Sequence, residues 1–336
     1  MRDVAALAGV GIKTVSRVVN NEPGVAPATV ERVTRAAAEL DYHPDMVAGN
    51  LRRTGSRTRS LGLLLASVEN PFDASIHRGV EDVAEQHGVN VLSASTDERP
   101  DREQLLTATF RSRRVDGLIV MASGIDQSYL EPEIAVGTPV VVVDRPPVGI
   151  DVDSVMADNV EGARTGTAHL IGHGHRRIAM LGDLARLPTA ADRLRGYREA
   201  MAAAGLPLDP ELTVEDLHDE TAAEAAAVRL LALPDPPTAI FSTRNTVTFG
   251  AFRALRSRGL QHRVALLGFD DFALADLLDP PVTVIAQDPY EIGRIATERL
   301  FTRMENRTIP TERITLPTRL VVRESCRSGH DGRSEC

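Results

Sequence analysis

Apolar residues follow two rhythms along this chain. Over the first 41 positions they recur at helical spacing. Val4, Ala5, Leu7 and Ala8 lead into Gly9-Val10-Gly11, a second helical stretch runs over 13–20, and Asn21-Glu22-Pro23-Gly24 is a strong turn. A third helix is predicted over 27–40, with Pro27 in its first turn and Val30, Val33, Ala37 and Leu40 along one face. From residue 61 the pattern changes. Short continuous apolar runs at 61–66, 89–93, 117–121, 140–143, 178–181, 239–242, 264–268 and 282–286 read as buried parallel strands. Helical segments lie near 73–87, 101–113, 159–172, 190–204, 220–232, 246–258 and 288–305. This alternation predicts a doubly wound α/β body, and so many strands suit two lobes with a cleft between them.

The chain has 336 residues, enough for two or three domains, and ordinary globular composition. Its charge is uneven. Residues 1–60 carry nine basic and six acidic side chains, so the net charge of −9 leaves −12 on the rest. A basic head on an acidic body suggests a polyanion-binding module beside a module with another task. The linker over 45–60 holds four arginines and one acid, and a domain boundary is expected near 58–60. The segment 325–336 is read as a disordered tail. No run of about 20 apolar residues exists and the amino terminus has no secretory leader, which predicts a cytoplasmic protein, nucleoid-associated when on DNA, with no membrane partner. Cys326 and Cys336 cannot build a disulfide framework.

Two short helices about a glycine turn form a helix-turn-helix. Val10, Val15 and Val18 would pack inward. Ile12, Lys13, Thr14, Ser16, Arg17 and Asn20 would face outward. Lys13 and Arg17 can donate to guanine O6 and N7, and Ile12 can touch a thymine methyl. Thr14, Ser16 and Asn20 can hold phosphates and fix register. A three-helix bundle with a solvated basic face is the bland alternative.

Residues 3–52 resemble the DNA-binding head of the lactose-repressor (LacI/GalR) family of bacterial transcriptional regulators. The resemblance rests on Asp3-Val4-Ala5, Ala8-Gly9-Val10, Thr14-Val15-Ser16-Arg17-Val18, Asn20 and Tyr42-x-Pro44. It implies that Ile12, Lys13 and Arg17 read bases, and that 45–52 is a hinge helix inserting Leu51 into the minor groove. Gly11 and Ala26 stand where the family places Ser or Thr caps. The family also carries a few residues before Asp3, including a Thr that caps the first helix, so that helix is expected to be poorly capped here.

The body, 61–324, resembles the family's effector domain, itself similar to periplasmic sugar-binding proteins. The signposts are Asn70-Pro71-Phe72, Val143-Asp144-Arg145-Pro146, Asp158-Asn159, Arg193-x-x-Gly196-Tyr197 and Gly268-Phe269-Asp270-Asp271. The resemblance implies two lobes, about 61–156 with 287–315 and 157–286 with 316–324. Asp144 and Asp270 follow strand ends, where open α/β sheets bind ligands. Arg193 offers a fork of donors. Phe72 suits the cleft or the core equally, and Asp271 suits a cap. Asp73 and His218 occupy positions where relatives often carry aromatics, and Arg244 stands where an amide is common. A charged pocket of Phe72, Asp73, Asp144, Arg193, His218, Arg244 and Asp270 is therefore expected, and Arg244 beside Arg193 suits a sugar acid or sugar phosphate.

Rival chemistries find less support. His169, His173 and His175 lack the partners of a tetrahedral metal set, and no cofactor is implied. No dinucleotide fingerprint, P-loop, nucleophile elbow or zinc-protease motif occurs, so no enzyme is predicted. A secreted binding protein would share the body without the head. The sequence thus predicts a ligand-controlled regulator, most simply a repressor. It would bind a near-palindromic operator as a homodimer, since no C-terminal heptad zipper favours a tetramer.

Overall fold

The computed structural model describes residues 1–19, 23–42, 58–123 and 126–327. Asn20, Leu51 and the predicted hinge helix over 45–52 lie outside the described residues. The chain divides into Met1–Thr58 and Arg59–Cys336.

The first unit packs α1 (Arg2–Ala8), α2 (Ile12–Val19) and α3 (Pro27–Glu39) around Val4, Ala5, Ala8, Val15, Val33 and Ala36. Gly9 ends α1 in the left-handed conformation, φ 63°, and its N–H caps the Ala5 and Ala6 carbonyls. Met1 and Ala26 give α1 and α3 no side-chain cap. The buried stripe of α3 is narrower than the pattern predicts: Val30 and Leu40 are 38% and 43% exposed. Three short helices cover only the centre of an apolar face, and its ends fall at the rim.

The second unit holds two six-stranded sheets of matching order. In the first lobe β1 (Ser60–Leu65), β2 (Asn90–Ser95), β3 (Gly117–Val120), β4 (Val140–Val143), β5 (Asp153–Ala157) and β11 (Arg313–Leu316) lie in the order β11-β5-β4-β3-β1-β2, all parallel. In the second, β6 (Ile178–Leu181), β7 (Thr213–Val214), β8 (Ala239–Ser242), β9 (Ala265–Phe269), β10 (Thr283–Ala286) and β12 (Arg319–Val321) lie in the order β12-β10-β9-β8-β6-β7, with only β12 antiparallel. Alternate residues serve opposite faces. Leu61, Leu63 and Leu65 join Ile292 and Leu300 on one side, while Leu64 joins Phe110 and Leu130 on the other.

Chain crossings between lobes occur at Asp158, at Gln287–Asp288 and at Pro317–Thr318. Asp158 caps α7 (Asn159–Gly172) and Asp288 caps α11 (Pro289–Glu305). Between them in number, α4 (Pro71–Gln86), α5 (Pro100–Ser112) and α6 (Glu131–Ala135) belong to the first lobe. The second lobe adds α8 (Pro188–Ala203), α9 (Glu220–Leu230) and α10 (Asn245–Ser257). Strands β5, β7, β11 and β12 are additions to the sequence reading.

The expected tail starts too early. Ser325 and Cys326 are buried, and the Ser325 hydroxyl accepts from the Thr283 N–H at 2.8 Å and donates to the Leu266 carbonyl at 2.6 Å. A small polar residue that completes a ladder between two strands looks in composition like tail. Burial pushes the Cys326 thiol up to about 11. No described helix is long and apolar enough to cross a membrane.

Candidate functional site

The head presents α2 outward. Ile12 is 48% exposed, Lys13 is exposed, Thr14, Ser16 and Arg17 are half-buried, and Val15 is sealed in the core. One α2 face thus anchors the helix and the other carries its polar groups. The Arg17 guanidinium donates from Nη2 to the Pro23 carbonyl at 2.6 Å, which fixes the long side chain against the turn before α3.

In the body, the interlobe cleft gathers Phe72, Asp73, Asp144, Arg193, Arg244 and Asp270. His218 stands behind Arg244. Asp144 follows β4 and Asp270 follows β9, the corresponding strands of the two sheets. Each residue sits in the left-handed region, at φ 66° and 72°. Their N–H groups bond the next strand over, at Val155 and at Ile285. Both lobes therefore aim an aspartate into the cleft from equivalent strand ends, with strained backbone held by the sheet.

Arg193 is rigid. Its Nε donates to Asn159 Oδ1 at 2.7 Å, its Nη1 to the Thr243 carbonyl at 2.6 Å, and its guanidinium stacks 3.9 Å from the Phe269 ring centre. The remaining N–H groups are left for the cleft. Arg145, which the sequence reading passed over, forms a bidentate pair with Glu98 at 2.5 and 2.7 Å, both side chains almost fully buried. Arg244 reaches Asp183 at 3.1 Å and His218 Nδ1 at 2.8 Å. The same Nδ1 lies 3.2 Å from Asp183, and one ring nitrogen cannot both accept and donate, so the triad holds a proton choice.

These pairings bear on the expectation of an acidic or phosphorylated ligand. Arg244 is already neutralised by Asp183. The cleft floor carries five carboxylates (Asp73, Glu98, Asp144, Asp183, Asp270) and three guanidiniums (Arg145, Arg193, Arg244). Burial opposes charge on Asp183, but the His218 hydrogen bond and Arg244 outweigh it and hold the carboxyl down at about 2. Burial raises the Asp73 carboxyl to about 7, against an N–H from Ser67 at 2.6 Å and with Asp144 adding to the rise. Burial also raises Asp144, opposed by Arg145 and Arg193. Asp144 Oδ1 and Gln287 Oε1 are buried acceptors without a hydrogen-bond partner. The arrangement offers acceptors to a ligand rich in donors.

The lobes meet through side chains as well. Arg186 donates to the carbonyls of Glu98 and Ser123, at 2.7 and 3.2 Å, and Asn245 donates to Asn70 at 2.7 Å. Phe72 fills both roles left open, leaning on the first-lobe core and facing the cleft. Asp271 is structural, bonded to the Phe272 N–H and to Arg323. Glu98, Arg145, Asp183, Arg186 and Gln287 were missed. The strand-end rule reaches Asp183 and Gln287, which closely follow β6 and β10, and Arg145 is the neighbour of Asp144.

Residues 1–45 match the model of bacterial regulatory proteins of the lacI family, and 167–326 match a periplasmic binding protein-like domain. The ribose operon repressor of Haemophilus influenzae is 33% identical over 97% of this chain and 98% of its own. The chain belongs to the lacI family. Its solved relatives include a lac repressor dimer bound to operator and the anti-inducer ONPF, 26% identical with a TM-score of 0.84, and the transcriptional regulator CelR with cellobiose, 33% identical with a TM-score of 0.71. Each covers 96% of this chain and 98% of the other. This lacI-family member is a transcriptional repressor with a DNA-binding head and a ligand-binding, periplasmic-binding-protein-like body. Its relatives are regulators, not enzymes.

Proposed function

We propose that this repressor binds a near-palindromic operator as a homodimer and is controlled by a hydroxylated small molecule, a sugar or sugar derivative that is neutral or cationic. In the head, Ile12, Lys13 and Arg17 would read bases, with Thr14, Ser16 and Asn20 on phosphates. In the cleft, Asp144 and Asp270 would accept ligand hydroxyls and Arg193 would donate. The observation that carries the ligand reading is the pair of equivalent aspartates facing Arg193 while Arg145 and Arg244 are each paired with a carboxylate. The ribose and cellobiose named with its relatives point the same way. Exposed Leu274 and Leu277, at 63% and 74%, suit a subunit contact, as does the dimeric lac repressor.

Effector binding would shift the lobe angle and so the spacing of two heads. A coupling of about 1–3 kcal/mol changes operator affinity about 5- to 150-fold. Asp270→Ala and Arg193→Ala should keep operator binding in gel shifts and lose the response to effector. Deleting either strands buried polar groups at about 1–3 kcal/mol each. Unchanged effector affinity by calorimetry in both variants would sink the assignment.

A further inference from the structure

The first lobe carries a second pocket, at the end of its sheet away from the cleft. Asp144 follows the carboxyl end of β4 into the cleft, whereas this pocket opens at the amino ends of β4 and β5. Its volume is about 100 Å³. Ile134, Pro139, Val140 and Val152 form apolar walls, and the two valines are buried. Another wall is held rigidly. Arg303 pairs with Asp153 and donates to the Ile309 and Pro310 carbonyls at 3.2 and 3.1 Å, which pins the end of α11 to β5 and to the loop before β11.

Two opposite charges line this apolar space. Arg307 lies against the backbone of Gly137, whose φ of 88° and missing Cβ give the guanidinium its seat; a Cβ there would overlap Nη1. Among the described residues Arg307 has no hydrogen-bond or ion-pair partner. Asp151 keeps one oxygen occupied, because Thr311 donates to its Oδ1 at 3.0 Å, and its Oδ2 has no partner among the described residues.

We propose that this pocket binds a free α-amino acid with a branched, four-carbon aliphatic side chain, leucine or isoleucine. The carboxylate would meet the guanidinium fork of Arg307, and the ammonium would donate to Asp151 Oδ2. The side chain would fill the apolar space. Size sets the class: a cavity of about 150 Å³ takes the six carbons of benzene, so about 100 Å³ takes about four. An acid alone would leave Asp151 facing an anion, and an amine alone would leave Arg307 facing a cation. A zwitterion answers both charges. The proposal stands apart from the sugar reading of the cleft. It gives the repressor a second input, at the amino end of the parallel sheet where Arg59 precedes β1.

Ligand-observed NMR titrations on the full chain test it with the two amino acids, alanine, phenylalanine, 4-methylvalerate (leucine without its ammonium) and isopentylamine (leucine without its carboxylate). Leucine or isoleucine should bind at about 10 mM or tighter, the floor for a ligand of that size. Alanine, the acid and the amine should each bind roughly tenfold more weakly, and phenylalanine should not fit. Arg307→Gln should lower leucine to the level of the amine, and Asp151→Asn to the level of the acid. Both side chains are exposed, so both variants should melt with wild type and keep operator affinity when no amino acid is present. Leucine binding should survive in Asp270→Ala, which alters only the cleft. No binding of either amino acid at that concentration, an acid that binds as tightly as leucine, or leucine binding unchanged in both charge variants would overturn the proposal. Loss of leucine binding in Asp270→Ala would also overturn it, since the amino acid would then sit in the cleft.

Discussion

Removing the Glu98 carboxylate should cost this fold more than any exposed ion pair could. Glu98 and Arg145 are 3% and 4% exposed, with two hydrogen bonds of 2.5 and 2.7 Å between them. In Glu98→Ala the guanidinium stays buried. Its other contacts are the Ala122 carbonyl and Asp144, whose carboxylate is 3.5 Å from Nε. Breaking a buried pair from one side costs about 3–5 kcal/mol, and partial cover from Asp144 places this case near about 3. A folded unit of this length loses about 2 °C of melting temperature per kcal/mol, so Glu98→Ala should melt about 6 °C lower. Glu98→Gln keeps an acceptor without the charge and should lose about half as much. Scanning calorimetry at neutral pH reads both. A loss below about 2 °C in Glu98→Ala would refute the reasoning, since it would mean that the pair contributes no more than one at the surface. The same variant should bind sugar acids, because Arg145 is then free to meet an anion.

Three further outcomes follow from the geometry. Asp73 has a folded value near 7 against an ordinary 3.8, so its contribution to stability is full below about pH 4 and is lost as pH rises through about 7; in urea melts Asp73→Asn should gain on wild type between pH 5 and 8, by on the order of 3 kcal/mol, and parallel pH profiles would contradict this. Arg186→Ala removes hydrogen bonds across the cleft mouth, so small-angle scattering without effector should give a larger radius of gyration than wild type, and an equal radius would show that the contact does not hold the lobes. Leu51→Ala should weaken specific operator binding and reduce DNA bending in circular-permutation gel shifts, whereas equal bending would dismiss the wedge.

Strands buried on both faces write themselves as unbroken apolar runs, which is why β1, β3, β4, β6 and β8 are legible within a residue or so. Strand β5 is not, because its inward Asp153 is neutralised by Arg299 and Arg303, some 150 residues on. Edge strands β7, β11 and β12 are two to four residues long and half-exposed. The cleft divides in the same way. Asp144 and Asp270 stand out because strand ends in open sheets are where ligands bind. Glu98 does not, because its meaning lies in a guanidinium 47 positions away, and Asp183, though close to a strand end, takes its meaning from a guanidinium 61 positions away. Arg244 shows the consequence: taken alone it invites an anion, but with Asp183 beside it the invitation is withdrawn.

The three crossings between lobes also set the mechanics of the body. Three short spans of chain at one side of two rigid sheets act as a strap hinge. They resist sliding and twisting and leave one easy rotation, about a line through Asp158, Gln287–Asp288 and Pro317–Thr318. Opening or closing the cleft is then a single coordinate. Every point on the first lobe travels in proportion to its distance from that line, including Arg59, where the chain enters β1. A sub-ångström change at Asp144 would become a larger arc at the far end of the sheet, so a ligand in the cleft would work the short arm of a lever whose long arm ends at Arg59.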